Sequence, residues 1–147
     1  MKLVFPILGV SLLLTAGLAE KSRAAELGEV FNCKIDTYGY GNWVPRKTSL
    51  TFLDSFENVE VSDPYIWESE GGPVVVPVKQ RRNGMLRFRW RLNLPTSSGR
   101  RTAASYRADF DPESGKGRIH AAVAVFSDTR QGGHIICGQS VSGKRKR

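Results

Sequence analysis

The sequence has few of the residues that usually bind metal ions. It contains only two cysteines, Cys33 and Cys137, and two histidines, His120 and His134, and these four do not have the spacing of a zinc site. Carboxylates are more frequent between residues 48 and 78, but they lack the alternate-residue spacing of a calcium-binding loop. The sequence therefore predicts no metal site, and no motif in it indicates a cofactor.

Catalytic motifs are also missing. There is no nucleophile elbow and no paired-carboxylate motif. The best constellation is His120, which we predict opposite Asp109 on the outer face of a sheet, with Ser105 further along and too distant for a tight triad. We therefore predict that the protein is not an enzyme.

Only the N-terminus has a long apolar run. Lys2 is followed by residues 3–19, which are apolar and end in small residues. This pattern is typical of a secretory signal peptide, predicted here as residues 1–19, with cleavage after Ala19 or at a second small-x-small site after Ala24. An uncleaved anchor is the alternative, although the run contains Pro6 and is shorter than the ~20 residues that span a bilayer.

The predicted signal implies a destination and a lead segment. We expect a periplasmic or secreted protein with no transmembrane span left after cleavage. Residues 20–28 are charged and rich in alanine, and we predict that they form a flexible lead.

No segment after the N-terminus has helical periodicity over the length of a helix. Eight short stretches instead alternate between apolar and polar residues, with turn-forming residues between them. The 147 residues fit one all-β domain, predicted over residues 29–141, and a basic tail over residues 142–147. We predict an eight-stranded antiparallel up-and-down barrel, lipocalin- or calycin-like in shape, with a two-sheet β-sandwich as the alternative.

The two cysteines lie on the predicted inner faces of the first and last strands. An even number of cysteines in an exported chain favours one disulfide, because oxidising compartments let it form and persist. Two buried free thiols are the alternative. A Cys33–Cys137 bond would make the first and last strands neighbours and would close the sheet of an up-and-down meander.

The most informative stretch is residues 85–94, which alternates strictly. Successive side chains of a strand point to opposite faces, so three arginines lie on one face and large apolar residues on the other. The predicted outer arginines are Arg87, Arg89 and Arg91, and the inner residues include Phe88 and Trp90.

The neighbours of this strand follow from its turns. A three-residue loop with Gly84 in the left-handed conformation places Lys79 beside Arg87 and Val76 opposite Trp90.

We also predict the register between the strand of residues 85–94 and the strand that contains residues 104–111. In this register Tyr106 lies opposite Leu92. Arg89 then faces Asp109, Arg87 faces Asp111 and Arg91 lies beside Arg107. In this arrangement Arg91 and Arg107 remain the least compensated charges.

Positive charge is concentrated in the second half of the chain. The formal net charge is +8, and residues 79–147 contain sixteen of the 22 Lys and Arg residues but only four carboxylates. The planar guanidinium group suits carboxylate and phosphate, so we predict an anion-binding face composed of Lys79, Arg87, Arg89, Arg91 and Arg107. An ordinary solvated strand face is the alternative.

The short motifs of the chain resemble those of an uncharacterised family of small exported two-cysteine proteins of alphaproteobacteria. The matching pieces are Phe31-x-Cys33, Trp43-Val44-Pro45, Val61-Ser62-Asp63-Pro64, Phe88-Arg89-Trp90, Tyr106-Arg107-Ala108 and the closing Cys137. The resemblance implies a bacterial, periplasmic protein whose terminal cysteines are paired, and it implies no activity.

Three functions are consistent with these features. The first is a non-enzymatic module that binds an anionic lipid head group, lipopolysaccharide or an acidic protein, since export argues against nucleic acid. The second is a carrier of a small apolar ligand inside the barrel, lined by Phe88, Trp90 and Tyr106, although such aromatics are usually plain core. The third is an inhibitor of a periplasmic enzyme.

Overall fold

The computed structural model describes residues 27–39, 41–125 and 131–140. The predicted signal peptide and the basic tail at residues 142–147 lie outside the described residues. The described elements are β1 (Leu27–Tyr38), β2 (Lys47–Leu53), β3 (Asn58–Ser62), α1 (Pro64–Glu70), β4 (Val74–Pro77), β5 (Lys79–Gln80), β6 (Leu86–Pro95), β7 (Arg101–Asp111), β8 (Lys116–Val123) and β9 (Gln131–Ser140).

The strands form one antiparallel sheet that curls into a nearly closed barrel. Their order in the sheet is β4-β3-β2-β1-β9-β8-β7-β6-β5. Each strand therefore lies beside its neighbour in sequence except at β4 and β5, which are the two edges, and β1 pairs with β9. This confirms the predicted up-and-down barrel, and the β-sandwich alternative is wrong because all the strands belong to one sheet.

The strand predicted before the Gly84 loop, the fourth of the eight and beginning with residues 74–78, is divided in two, which makes nine strands instead of eight. Its first part, β4, pairs with β3 and places Val76 opposite Val59. The predicted pairing of Val76 with Trp90 is therefore wrong. Pro77 has no N–H to offer to a ladder, and the chain passes there from one edge of the sheet to the other.

The β5–β6 hairpin has the predicted register. Lys79 lies opposite Arg87, and Gly84 has a φ of +79° in the loop between the strands. The N–H of Gly84 donates to the carbonyl of Arg81, and the N–H of Arg81 donates to the carbonyl of Met85.

The β6–β7 register differs from the prediction by two residues. Tyr106 lies opposite Trp90 instead of Leu92. The reason is the connection, since Pro95 already pairs with Arg101 and the N–H of Thr96 donates to the carbonyl of Arg100. A slip of two residues keeps every side chain on its face but changes every cross-strand partner.

A short helix, α1, was not predicted. Asp63 caps it, because its Oδ1 accepts from the N–H groups of Tyr65 at 2.8 Å and Ile66 at 3.0 Å. Pro64 occupies the first turn and Gly71, with a φ of +75°, ends the helix. Seven residues are too few to show a helical period, but the capping residues at both ends are a usable signal.

A disulfide joins β1 to β9. Cys33 and Cys137 lie opposite each other on the two strands and are bonded, so the prediction of a disulfide is confirmed and that of free thiols is wrong. The bond connects the two ends of the meander at the place where the barrel closes.

Aromatic rings in mutual contact fill much of the barrel. The ring of Phe31 lies 5.0 Å from that of Phe110 and 5.8 Å from that of Phe52. The ring of Phe52 lies 6.2 Å from that of Phe88. The three aromatics predicted inside the barrel, Phe88, Trp90 and Tyr106, are buried, and so are Phe31, Phe52 and Phe110.

Candidate anion-binding site

The outer face of β6 carries the predicted row of arginines. Leu86, Phe88 and Trp90 are buried, whereas Arg89 and Arg91 are exposed and Arg87 is half-buried. The predicted candidates Lys79, Arg87, Arg89, Arg91 and Arg107 all lie on β5, β6 and β7, and pairing brings Lys79 to Arg87 and Arg89 to Arg107. These five residues are called the basic surface below.

Only one arginine of the basic surface has a close carboxylate partner. Arg87 Nε donates to Asp109 Oδ1 at 2.6 Å and its Nη2 donates to Asp109 Oδ2 at 3.2 Å. This two-pronged hydrogen bond raises the pKa of Arg87 above its ordinary value. The predictions that Arg87 faces Asp111 and that Arg89 faces Asp109 are wrong, because of the two-residue slip of β7.

Two arginines face each other at the centre of the basic surface. Arg89 lies opposite Arg107, and Arg91 lies opposite Ser105. Directly opposed side chains of an antiparallel pair have Cβ atoms about 5 Å apart, and like charges at that distance destabilise the sheet. Arg89 and Arg91 form no ion pair with any described residue. They replace the predicted pair, Arg91 and Arg107, as the least compensated charges.

Arg107 is only weakly compensated. Its Nε lies 3.8 Å from Asp109 Oδ2, an oxygen that already accepts from Arg87. The same Nε is buried and has no hydrogen-bond partner, although the side chain as a whole is 42% exposed. An N–H that is buried without an acceptor costs free energy. The exposed part of the Arg107 guanidinium is the part that an added anion could reach.

The arginines border a groove of about 650 Å³ on the outside of the barrel. Arg89, Arg91 and Arg107 supply cations, and Ser105 and Ala122, which lie opposite each other on β7 and β8, supply short side chains beside them. We call this concavity the arginine groove. A smaller hollow of about 270 Å³ adjoins it at Arg89 and is lined by Pro77, Lys79, Arg81 and Arg87.

The sequence did not identify the groove itself. Ser105, Ala122 and His120 line it because β8 lies beside β7 in the observed register, with His120 opposite Arg107. The prediction that His120 lies opposite Asp109 is wrong, since Arg118 takes that position. Alternation alone placed these residues on the outer face, but the register was needed to bring them to the arginines.

The interior candidates form a stack. The ring of Trp90 lies 5.9 Å from that of Phe88 and 5.3 Å from that of Tyr106, in nearly parallel planes. Tyr106 donates its hydroxyl hydrogen to the carbonyl of Trp43 at 2.7 Å, and burial raises its pKa well above the usual range. Trp90 Nε1 is buried without a hydrogen-bond partner. These side chains pack on one another as core residues do.

Among residues 27–39, 41–125 and 131–140, no group of three or more His, Cys, Asp or Glu residues is arranged to hold a metal ion. No helix in this part of the chain is long and apolar enough to cross a membrane.

No known protein family, curated protein or solved structure gives a significant match to the chain.

Proposed function

We propose that the protein is an exported, non-enzymatic barrel that binds an anionic component of the cell envelope, or an acidic protein, through its basic surface. The observation that carries the proposal is the pairing of Arg89 with Arg107 on neighbouring strands, while the nearest carboxylate, that of Asp109, is bound to Arg87. The basic surface therefore carries positive charge that the described residues do not neutralise.

The energetics of this arrangement support binding over a purely solvated face. Opposed like charges lower the stability of the free protein by roughly 0.2–1 kcal/mol per pair. An anion held between the two guanidinium groups would remove that cost and accept charge-assisted hydrogen bonds. The basic surface thus gains more from a bound anion than isolated surface arginines would.

The disulfide supports the proposed compartment. Disulfides persist in the periplasm and outside the cell and are rare in the cytosol. The resemblance to exported two-cysteine proteins points in the same direction, and in the periplasm the available polyanions are envelope lipids, lipopolysaccharide and acidic proteins.

Charge reversal tests the proposal. The R91E/R107E variant should lose most of its binding to polyglutamate at low salt, measured by isothermal titration calorimetry. The matched control is K34E/K47E, since Lys34 and Lys47 are another exposed, directly opposed pair of cations, on β1 and β2. K34E/K47E has the same net charge as R91E/R107E. It should nevertheless bind polyglutamate as the wild type does.

Either of two results would overturn the proposal. One is undiminished binding by R91E/R107E, and the other is an equal loss in both variants, which would mean that net charge alone governs binding. Circular dichroism checks that the variants fold, and R91Q/R107Q replaces the reversal if that variant does not.

A further inference from the structure

We propose that the arginine groove is a site for a phosphomonoester, with the phosphoryl group held between Arg89 and Arg107. The inference rests on the proposed function and narrows it from anions in general to one chemical class.

The number of charges favours phosphate over carboxylate. Arg89 and Arg107 oppose each other and Arg91 follows two residues along β6, so three cations border the groove. Asp109 approaches Arg107 only at 3.8 Å and already holds Arg87. A carboxylate with one charge neutralises one guanidinium, whereas a phosphomonoester carries about −1.5 to −2 at neutral pH and can neutralise both members of the pair.

The donors also match a group with three terminal oxygens. Each guanidinium presents a planar fork, and Ser105, opposite Arg91, adds a hydroxyl within the same groove. Arg107 Nε is a buried donor without an acceptor. That atom is closed off from the groove, so a phosphoryl oxygen would accept from the exposed end of the Arg107 guanidinium, and the other two oxygens would remain for Arg89 and for Arg91 or Ser105.

The size of the groove indicates an ester instead of a free ion. Its volume of about 650 Å³ falls in the range of sites for whole small molecules, which is about 300–1,000 Å³. Beyond the arginines the lining includes the exposed methyl side chain of Ala122, which offers no charge. We therefore place the alcohol part of the ester, such as a sugar or a glycerol, on this side of the groove.

Binding is tested by calorimetry with glycerol 3-phosphate, inorganic phosphate and acetate at equal ionic strength. The affinity of the wild type for glycerol 3-phosphate should exceed that for acetate by about tenfold or more. The reason is that a dianion forms stronger charge-assisted hydrogen bonds with the arginines than a monoanion does. R89Q should lose this preference. R89K keeps the positive charge but loses the planar pair of guanidinium donors. It should therefore retain only part of the preference for glycerol 3-phosphate over acetate.

The shift in melting temperature on adding ligand provides a second readout. An arginine with only a structural role would not change this shift. R89Q removes one member of an opposed cation pair, so its melting temperature without ligand should rise at low salt. K34Q should show a similar rise, since Lys34 opposes Lys47. Glycerol 3-phosphate should raise the melting temperature of K34Q as it does that of the wild type, and should leave that of R89Q unchanged.

The outcomes separate this inference from the proposed function. If the wild type binds polyglutamate but does not prefer glycerol 3-phosphate to acetate, the phosphomonoester site is overturned and the anion-binding surface stands. If neither polyglutamate nor any phosphate binds, both are overturned. A preference that R89Q retains also overturns the site.

Vesicles distinguish the sources of the phosphomonoester. Stronger binding to phosphatidate vesicles, which display a phosphomonoester, than to phosphatidylglycerol vesicles, which display a diester, supports the site and identifies a lipid head group. Binding of soluble glycerol 3-phosphate with no binding to either vesicle supports the site and identifies a soluble ester.

Discussion

Arg89 and Arg107 lie directly opposite each other on adjacent strands, and the carboxylate nearest to them is bound to a third arginine. Asp109 follows Arg107 by two residues on the same face and turns its carboxylate to Arg87. The positive charge at the centre of the basic surface is thus set by the cross-strand register, and a change at any of these residues should alter both stability and anion binding.

Removing the carboxylate should strengthen anion binding. In D109N, Arg87 and Arg107 lose their negative neighbour, so the affinity for polyglutamate at low salt should rise by a few-fold. The Arg87–Asp109 pair is partly exposed, with side chains 26% and 20% accessible, so the free energy of unfolding should fall by no more than about 1 kcal/mol. Calorimetry and urea unfolding measure the two effects.

The control for D109N is D111N, on the same strand and with the same change of charge. Asp111 lies opposite Lys116, away from the arginine groove. If D111N strengthens binding as much as D109N does, net charge and not the local pair explains the gain.

Reduction of the disulfide should destabilise the barrel. The bond joins residues 104 positions apart, and a loop of this length corresponds to about 2–5 kcal/mol of stabilisation in measured cases and in the chain-entropy model. Urea unfolding with and without reductant should show a loss of this size in the wild type. C33S/C137S should resemble the reduced wild type and should not respond to reductant; equal stability of both redox forms would contradict the prediction.

Asp63 should make stability depend on pH. Burial raises its pKa above the ordinary 3.8, despite the hydrogen bonds from the N–H groups of Ile66 and Tyr65, which lower it. The folded state therefore binds the proton more tightly than the unfolded state does, so this group's contribution to stability is greatest below pH 3.8 and declines as the pH rises through the raised pKa.

Substitution of Asp63 separates its charge from its capping role. D63N keeps a capping oxygen without the charge, so the stability of the wild type relative to D63N should fall between about pH 3.8 and neutral pH. D63A loses the cap as well, and at neutral pH it should be about 1 kcal/mol less stable than D63N. A stability of the wild type relative to D63N that rises with pH over this range, or does not change, would contradict the assignment.

The stacked interior should leave no room for an apolar ligand. Trp90 packs between Phe88 and Tyr106 in nearly parallel planes, so a panel of apolar probes should not change the tryptophan fluorescence of the protein. A saturable change that Trp90→Phe removes would revive the carrier hypothesis. A change that Trp43→Phe or Trp67→Phe removes instead would place the probe near that tryptophan.

Alternation and turn chemistry were sufficient to predict most of the barrel. The faces of β6 and β7 follow from their period of two, and Gly84 fixed the register of the β5–β6 hairpin. The two cysteines then identified the pair of strands that closes the sheet. Each of these features depends on residues that are close in sequence or covalently bonded.

Partners across longer connections could not be predicted in the same way. The connection from Pro95 to Arg101 is compatible with more than one register, because a shift of two residues leaves the buried face of β7 intact. That shift decided whether Arg89 meets Asp109 or Arg107, and so decided the charge of the candidate site. The split of the fourth strand at Pro77 likewise depended on its two different neighbours, β3 and β6.

The measurement that tests the central claim most directly is a map of the anion-contacting residues by NMR. Titration of the isotope-labelled protein with glycerol 3-phosphate should shift the side-chain Nε–H signals of Arg89, Arg91 and Arg107 and the amide of Ser105, all with one saturation curve. Small or absent shifts there, together with saturable shifts around Lys34 and Lys47 or with none anywhere, would contradict the account.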